Sequence, residues 1–192
     1  MLRSSRFSVL SSLSCAAVAA VTLTTSVLAN PALEGEKHVY LLDKQGNEYP
    51  IGSVHFTAAD AGSKYSLHME HERFKDFFLS MKEMKCLEGP ELMCHLAYPY
   101  DQPRTVTEQE LGWLSHDLLF MYKQPAEFGA NFWNGVYYQL RIEGGVIKGN
   151  AQAVDLNMLA SPPDDLSVLP FGEWDREELE PKNRWLPFIE IR

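Results

Sequence analysis

The sequence predicts an α+β fold in which a mostly antiparallel, twisted sheet of about seven to eight strands, open or half-closed, is packed by two amphipathic helices. Three observations predict it. Two stretches place apolar residues at helical spacing, the pattern switches to alternation after residue 134, and the links between strand-like segments are too short for parallel crossovers.

The first element is a hairpin. His38 to Asp43 and Ile51 to Thr57 read as strands, joined by the turn-like Lys44-Gln45-Gly46-Asn47. A second turn, Ala59 to Ser63, leads into a short strand over Tyr65 to Met69. The spacing then predicts a helix over Glu70 to Lys85, with Phe74, Phe77, Phe78 and Met81 on one face. Its charges suit the helix dipole, since Glu70 and Glu72 open it and Lys82 and Lys85 close it. Thr107-Glu108-Gln109-Glu110 is a capping-box pattern that announces a second helix. Leu111, Leu114, Leu118 and Met121 mark its buried stripe, and Pro125 ends it.

Asn134-Gly135 then signals a two-residue hairpin turn, followed by the alternating Val136, Tyr138, Leu140 and Ile142. Gly144-Gly145 returns the chain along Val146 to Asp155, where Ile147, Gly149, Ala151 and Ala153 share a face and can interdigitate with the larger residues opposite. Ser161-Pro162-Pro163 and Leu169-Pro170-Phe171-Gly172 break regular structure. Trp185 to Ile191 reads as a closing strand, with Pro187 confining it to an edge or marking its start.

Ahead of this domain stands an apolar leader. Arg3 and Arg6 form its basic start, residues 7 to 23 its apolar middle, and Val27-Leu28-Ala29 a small-residue exit, so residues 1–29 are expected to be a cleaved signal peptide. Retention as an anchor is disfavoured by the serines that dilute the run, and lipidation at Cys15 by Ser12 three positions before it. Residues 30–192 then form a single globular domain, periplasmic or secreted. Loss of Arg3 and Arg6 leaves 15 basic residues against 26 acidic ones. That balance, with no cluster of Lys or Arg, argues against nucleic acid and anionic lipid as partners. Stable membrane insertion after cleavage is not expected, and no protein partner is indicated.

Cys86 and Cys94 are the two cysteines of the mature chain, and the turn pair Gly89-Pro90 lies between them, so a structural disulfide is expected. The rival is a nucleophilic Cys94 beside His95. It is weakened by the oxidising compartment and by the placing of Cys86 at the C-terminal end of the first predicted helix.

His68-Met69-Glu70-His71-Glu72 has metal-ligand residues but not the spacing of a zinc helix, whose histidines stand four apart with a glutamate directly after the first. A strand-to-helix junction with partly exposed histidines explains the segment better. Serine-hydrolase, phosphate-loop and dinucleotide glycine patterns are absent, so no catalytic residue, metal or cofactor is assigned. A carboxylate pair in a cleft would leave no local signature.

Aromatic residues concentrate at Tyr98, Tyr100, Phe128, Phe132, Trp133, Tyr137 and Tyr138, with Asn131 and Asn134 among them. Tyr138 falls on the core face of its strand, whereas Tyr137, Gln139 and Arg141 point the other way. Tyr98, Tyr100, Asn131, Trp133, Tyr137 and Arg141 are therefore the candidate ligand-binding residues, for a small molecule, sugar or peptide. The competing reading is that these rings complete the core. The expected function is a non-catalytic, exported binding protein for a small or polymeric envelope ligand. Its alternatives are a cofactor-independent hydrolase using an Asp/Glu or His pair, with His71 and His95 as candidates, and a structural or inhibitory partner of another envelope protein.

Overall fold

A computed structural model describes residues 33–79 and 83–192 of the chain. The leader expected over residues 1–29 lies outside the described residues, as do Met81 and Lys82 of the first predicted helix.

The opening meander consists of β1 (Gly35–Leu42), β2 (Glu48–Ala59) and β3 (Gly62–Met69). Val39 and Leu41 of β1, Val54 and Phe56 of β2 and Tyr65 of β3 are buried, and the residues between them are more exposed, as a half-buried sheet requires. A 3-10 turn, His71–Arg73, leads to β4 (Lys75–Phe78), which pairs with β5 (Glu83–Glu88). Next come β6 (Leu92–His95), the two-residue β7 (Thr105–Val106), α1 (Gly112–Asp117) and β8 (Phe120–Lys123). A long hairpin of β9 (Gly135–Glu143) and β10 (Val146–Val154) follows, and β11 (Glu177–Glu178) and β12 (Phe188–Ile191) complete the chain.

These twelve strands form one antiparallel sheet in the order β4-β5-β6-β8-β9-β10-β12-β1-β2-β3-β7, with β11 paired to β10. The sheet must curl. β3 and β4 stand nine ladder steps apart, roughly 43 Å in a flat sheet. The five residues that join them reach only roughly 20 Å from Met69 to Lys75.

The structure overturns the predicted α+β fold with two helices and seven to eight strands. There is one short α-helix among the described residues, and the first predicted helix is a 3-10 turn followed by the β4–β5 hairpin. Tertiary pairing overrides the helical period here. Cys86 lies directly opposite Cys94 in the β5–β6 ladder, and a disulfide joins them. The charges read as helix-dipole partners are spent otherwise: Asp76 pairs with Lys85 across the hairpin, and Glu70 with Arg73. Phe78, expected on a core face, is 82% exposed. The dipole argument against a Cys86 thiolate falls with the helix, and the disulfide replaces it.

The second helix is also shorter than its sequence pattern. The Thr107 hydroxyl accepts from the Glu110 N–H at 3.0 Å, as a capping box would have it, but it closes only a bend. The Glu110 carboxylate then accepts from the Gly112 N–H at 2.8 Å and starts α1 two residues later. Leu111, Leu114 and Leu118 are buried as the stripe requires, whereas Met121 belongs to β8, opposite Cys94.

Asn134-Gly135 is not a hairpin turn. Gly135 begins β9 opposite Val154, and a Cβ there would stand 2.4 Å from the Val154 carbonyl oxygen, so the glycine marks a close approach of strands. The real turn is Gly144-Gly145, with φ of 60° and 83°. Along this hairpin Tyr138 faces Ala151 and Leu140 faces Gly149, large against small. Pro187 stands just before β12, but that strand is no edge. It lies between β10 and β1, with Ile191 opposite both Ile147 and Val39. Among the described residues no helix is long and apolar enough to cross a membrane.

Reduction of the Cys86–Cys94 bridge is expected to cost about 2.5 kcal/mol, the loop-entropy value for a closure this short. Urea denaturation of oxidised and reduced protein checks it.

Candidate functional site

Curling of the sheet encloses a cavity of about 360 Å³. His68 at the end of β3, His71 in the following turn, His95 at the end of β6, and Ala97, Arg104 and Asp117 line it. Asp117 ends α1 and is the centre of the arrangement. Its carboxylate accepts from the Tyr65 hydroxyl of β3 at 2.9 Å and from the Gln102 amide at 2.6 Å. Its backbone carbonyl accepts from His95 Nε2 at 2.9 Å. One residue thus ties β3, β6 and the segment before β7 together.

Burial dominates the ionisation of this cluster. It raises the Asp117 carboxyl above its ordinary range, against the opposing pull of Tyr65, Arg104 and Gln102. It also raises the Tyr65 phenol, with the Asp117 charge adding to the effect. The His95 imidazole is pushed below its ordinary value by burial, only partly countered by its bond to the Asp117 carbonyl. Since a carbonyl only accepts, Nε2 of neutral His95 carries the proton and Nδ1 is an acceptor.

Arg104 is the unusual member. Its φ of 50° makes it the one non-glycine residue among those described in the left-handed region, a conformation that costs of order 1 kcal/mol or more and that clusters at ligand sites. The turn is fixed by the neighbouring pairing, because the Arg104 carbonyl accepts from the Tyr65 N–H at 3.0 Å just before β7 joins β3. Its side chain is 62% exposed, and its Nε stands 3.9 Å from Asp117 Oδ2, too far for a hydrogen bond. Its guanidinium N–H groups make no hydrogen bond among the described residues, and the long ion pair with Asp117 leaves them able to donate to a ligand.

A larger cavity of about 590 Å³ lies near Tyr49 and Trp185. Two of its charges face one another, although Arg184 Nη1 is buried with no hydrogen bond among the described residues. Arg184 lies 3.3 Å from Glu91 and over the Tyr122 ring, and the Glu91 carboxylate also accepts from the Trp185 N–H at 2.9 Å.

Of the candidate residues chosen from the sequence, Tyr98 lies against Tyr100, their ring centroids 5.6 Å apart. Tyr98 and Tyr137 meet through His116, whose ring lies 5.9 Å from the first and 5.3 Å from the second. Tyr137 is only 3% exposed, covered by His116, Phe171 and Arg176, so its ring completes packing rather than lining a cleft. The Tyr98 hydroxyl is buried with no hydrogen-bond partner among the described residues, and Tyr100 donates to the Leu159 carbonyl at 2.7 Å. Trp133 and Asn131 stand exposed on the β8–β9 connection, where the Asn131 side chain accepts from the Trp133 N–H. Arg141 is ion-paired with Glu143 at 2.6 Å on the β9–β10 hairpin.

His71 and His95, the histidines named for a hydrolase, do share the cavity. Asp117, Arg104, Tyr65 and Gln102 carry no local motif, and only the topology assembles them. Among the described residues no three His, Cys, Asp or Glu side chains are grouped to hold a metal ion.

His116, beside Asp117, does a different job. It is fully buried, its Nδ1 donates to the Gly112 carbonyl at 2.7 Å, and its Nε2 accepts from the Phe171 N–H at 3.2 Å while the two rings stack. Burial lowers it to about 4, with Arg176 assisting and the Gly112 carbonyl opposing. Below its ordinary value of 6.5 the unfolded chain therefore binds a proton that the folded chain refuses. Stability that is full above pH 6.5 should fall by about 3 kcal/mol as pH drops toward 4. Denaturation across that window should show the loss, and His116→Gln should flatten it.

Compared with known proteins, the chain matches no family model, no curated protein and no solved structure, so its site is read from geometry alone.

Proposed function

We propose that the protein is an exported, non-catalytic binding protein whose ligand is a small anion held in the cavity between β3 and β6. The observation that carries this reading is Arg104, held in a left-handed conformation at the cavity wall with its guanidinium N–H groups unspent. Three imidazoles line the same cavity. The carboxylate in the lining, Asp117, is already bonded to Tyr65 and Gln102, and burial raises it above its ordinary range. The Arg104 guanidinium is the donor an incoming anion would meet, and an Arg–carboxylate contact is among the stronger polar contacts available. The disulfide supports export, since such bridges persist in oxidising compartments.

Titration with propanoate, followed by NMR of the backbone amides, is expected to shift Gln102, Arg104 and Asp117. Arg104→Ala should weaken this binding by roughly 10-fold, the value of one charge-assisted contact, with the fold unchanged. No shift with propanoate, or equal binding by the variant, overturns the reading.

One observation favours a hydrolase instead. Burial keeps His95 neutral, its Nε2 proton is fixed on the Asp117 carbonyl, and no hydrogen bond among the described residues reaches Nδ1, which can therefore act as a base. Turnover of p-nitrophenyl esters that His95→Gln abolishes would establish that reading, and turnover no faster than buffer would remove it.

A further inference from the structure

We propose that the anion bound at Arg104 is the head of an amphiphile, a carboxylate whose apolar chain lies in a second cavity adjoining the first; this rests on the reading of the Arg104 site given above. The second cavity, of about 330 Å³, is lined by Leu96, Ala97, Pro99, Phe132, Leu156 and Leu159, together with Asn157 and Ala160. Ala97 belongs to the walls of both cavities, and His95 of the polar one is followed directly by Leu96 of the apolar one. One short segment, residues 95–97, thus contributes to both linings.

The apolar cavity is built on fixed backbone. Leu96 donates its N–H to the Leu119 carbonyl at 2.9 Å, Leu156 donates to the Phe132 carbonyl at 2.9 Å, and the Tyr100 hydroxyl holds the Leu159 carbonyl at 2.7 Å. Its walls are therefore cross-linked before any ligand arrives, which reduces the ordering cost of binding. Asn157 is the one side chain in the lining that can hydrogen-bond, so water there is poorly held and a hydrocarbon chain displaces it favourably. A neutral apolar molecule would leave Arg104 unused, and a compact anion would leave the second cavity unfilled. A carboxylate on an alkyl chain satisfies both.

Calorimetric titration with straight-chain carboxylates from propanoate to dodecanoate tests the idea. Affinity is expected to rise about fourfold for each added methylene until the cavity is filled, the increment for burying one such group. Ala160→Trp, at an exposed position on the wall, should abolish that increase while leaving propanoate binding as it was. Arg104→Ala should weaken every carboxylate by the same factor. Affinity independent of chain length, or a chain-length dependence that Ala160→Trp leaves intact, overturns the amphiphile proposal without touching the anion site. Alkanols that bind as tightly as the matching carboxylates, with no effect of Arg104→Ala, overturn the anion site itself.

Discussion

Only five residues, Glu70 to Phe74, join β3 to β4, although the two strands stand nine steps apart in the ladder. That short tether leaves the sheet no choice but to bend until its halves meet, and the groups near the seam are those on which the rest of the molecule turns. The chain fastens the seam by polar means. Asp117 reaches β3 through Tyr65 and β6 through His95, and Gln102 holds the intervening segment against the same carboxylate. The cavity exists because a curled sheet fastened by hydrogen bonds cannot collapse as a purely apolar interface would. Its polarity is the residue of that fastening, left facing solvent where Arg104 and the histidines stand.

The six residues of α1 are all buried, and they end in two titratable groups with opposite assignments. His116 looks toward the irregular tail and uses both ring nitrogens to hold it, whereas Asp117 looks toward β3. Burial disfavours the charged form of each, raising the carboxyl and lowering the imidazole. The exposed ion pairs on the outside of the sheet, such as Arg141 with Glu143, contribute far less, since solvent screens them. Specificity in this fold therefore resides in a few interior hydrogen bonds at one short helix.

What could be read from the residues was local. The β9–β10 hairpin was legible because its register is set by alternation and by a turn that only glycine tolerates. The disulfide was legible from cysteine spacing and the Gly89-Pro90 turn pair between the two residues. The segment from 70 to 85 was misleading because Phe74, Phe77 and Phe78 satisfy a helical period by accident of composition, whereas the decisive constraint, Cys94 opposite Cys86, comes from another strand. Gly135 misled for a similar reason, its meaning lying in Val154 and not in Asn134. The site was least legible of all. Tyr65, His95, Gln102, Arg104 and Asp117 lie on separate segments, and no spacing rule connects residues that only a curled sheet brings together. The aromatic residues, conspicuous in the sequence, divide between a packed cluster around His116 and isolated surface positions.

The position of β12 bears on how the chain reaches this state. Residues 188–191 fill the middle of the ladder between β1 and β10, and each of those strands has an unmatched edge until they arrive. The β1–β12 ladder joins residues as distant in sequence as Val39 and Ile191, so the middle of the sheet closes through a non-local pairing of the kind that slows folding, and the two halves on either side of it stay separate until that pairing forms.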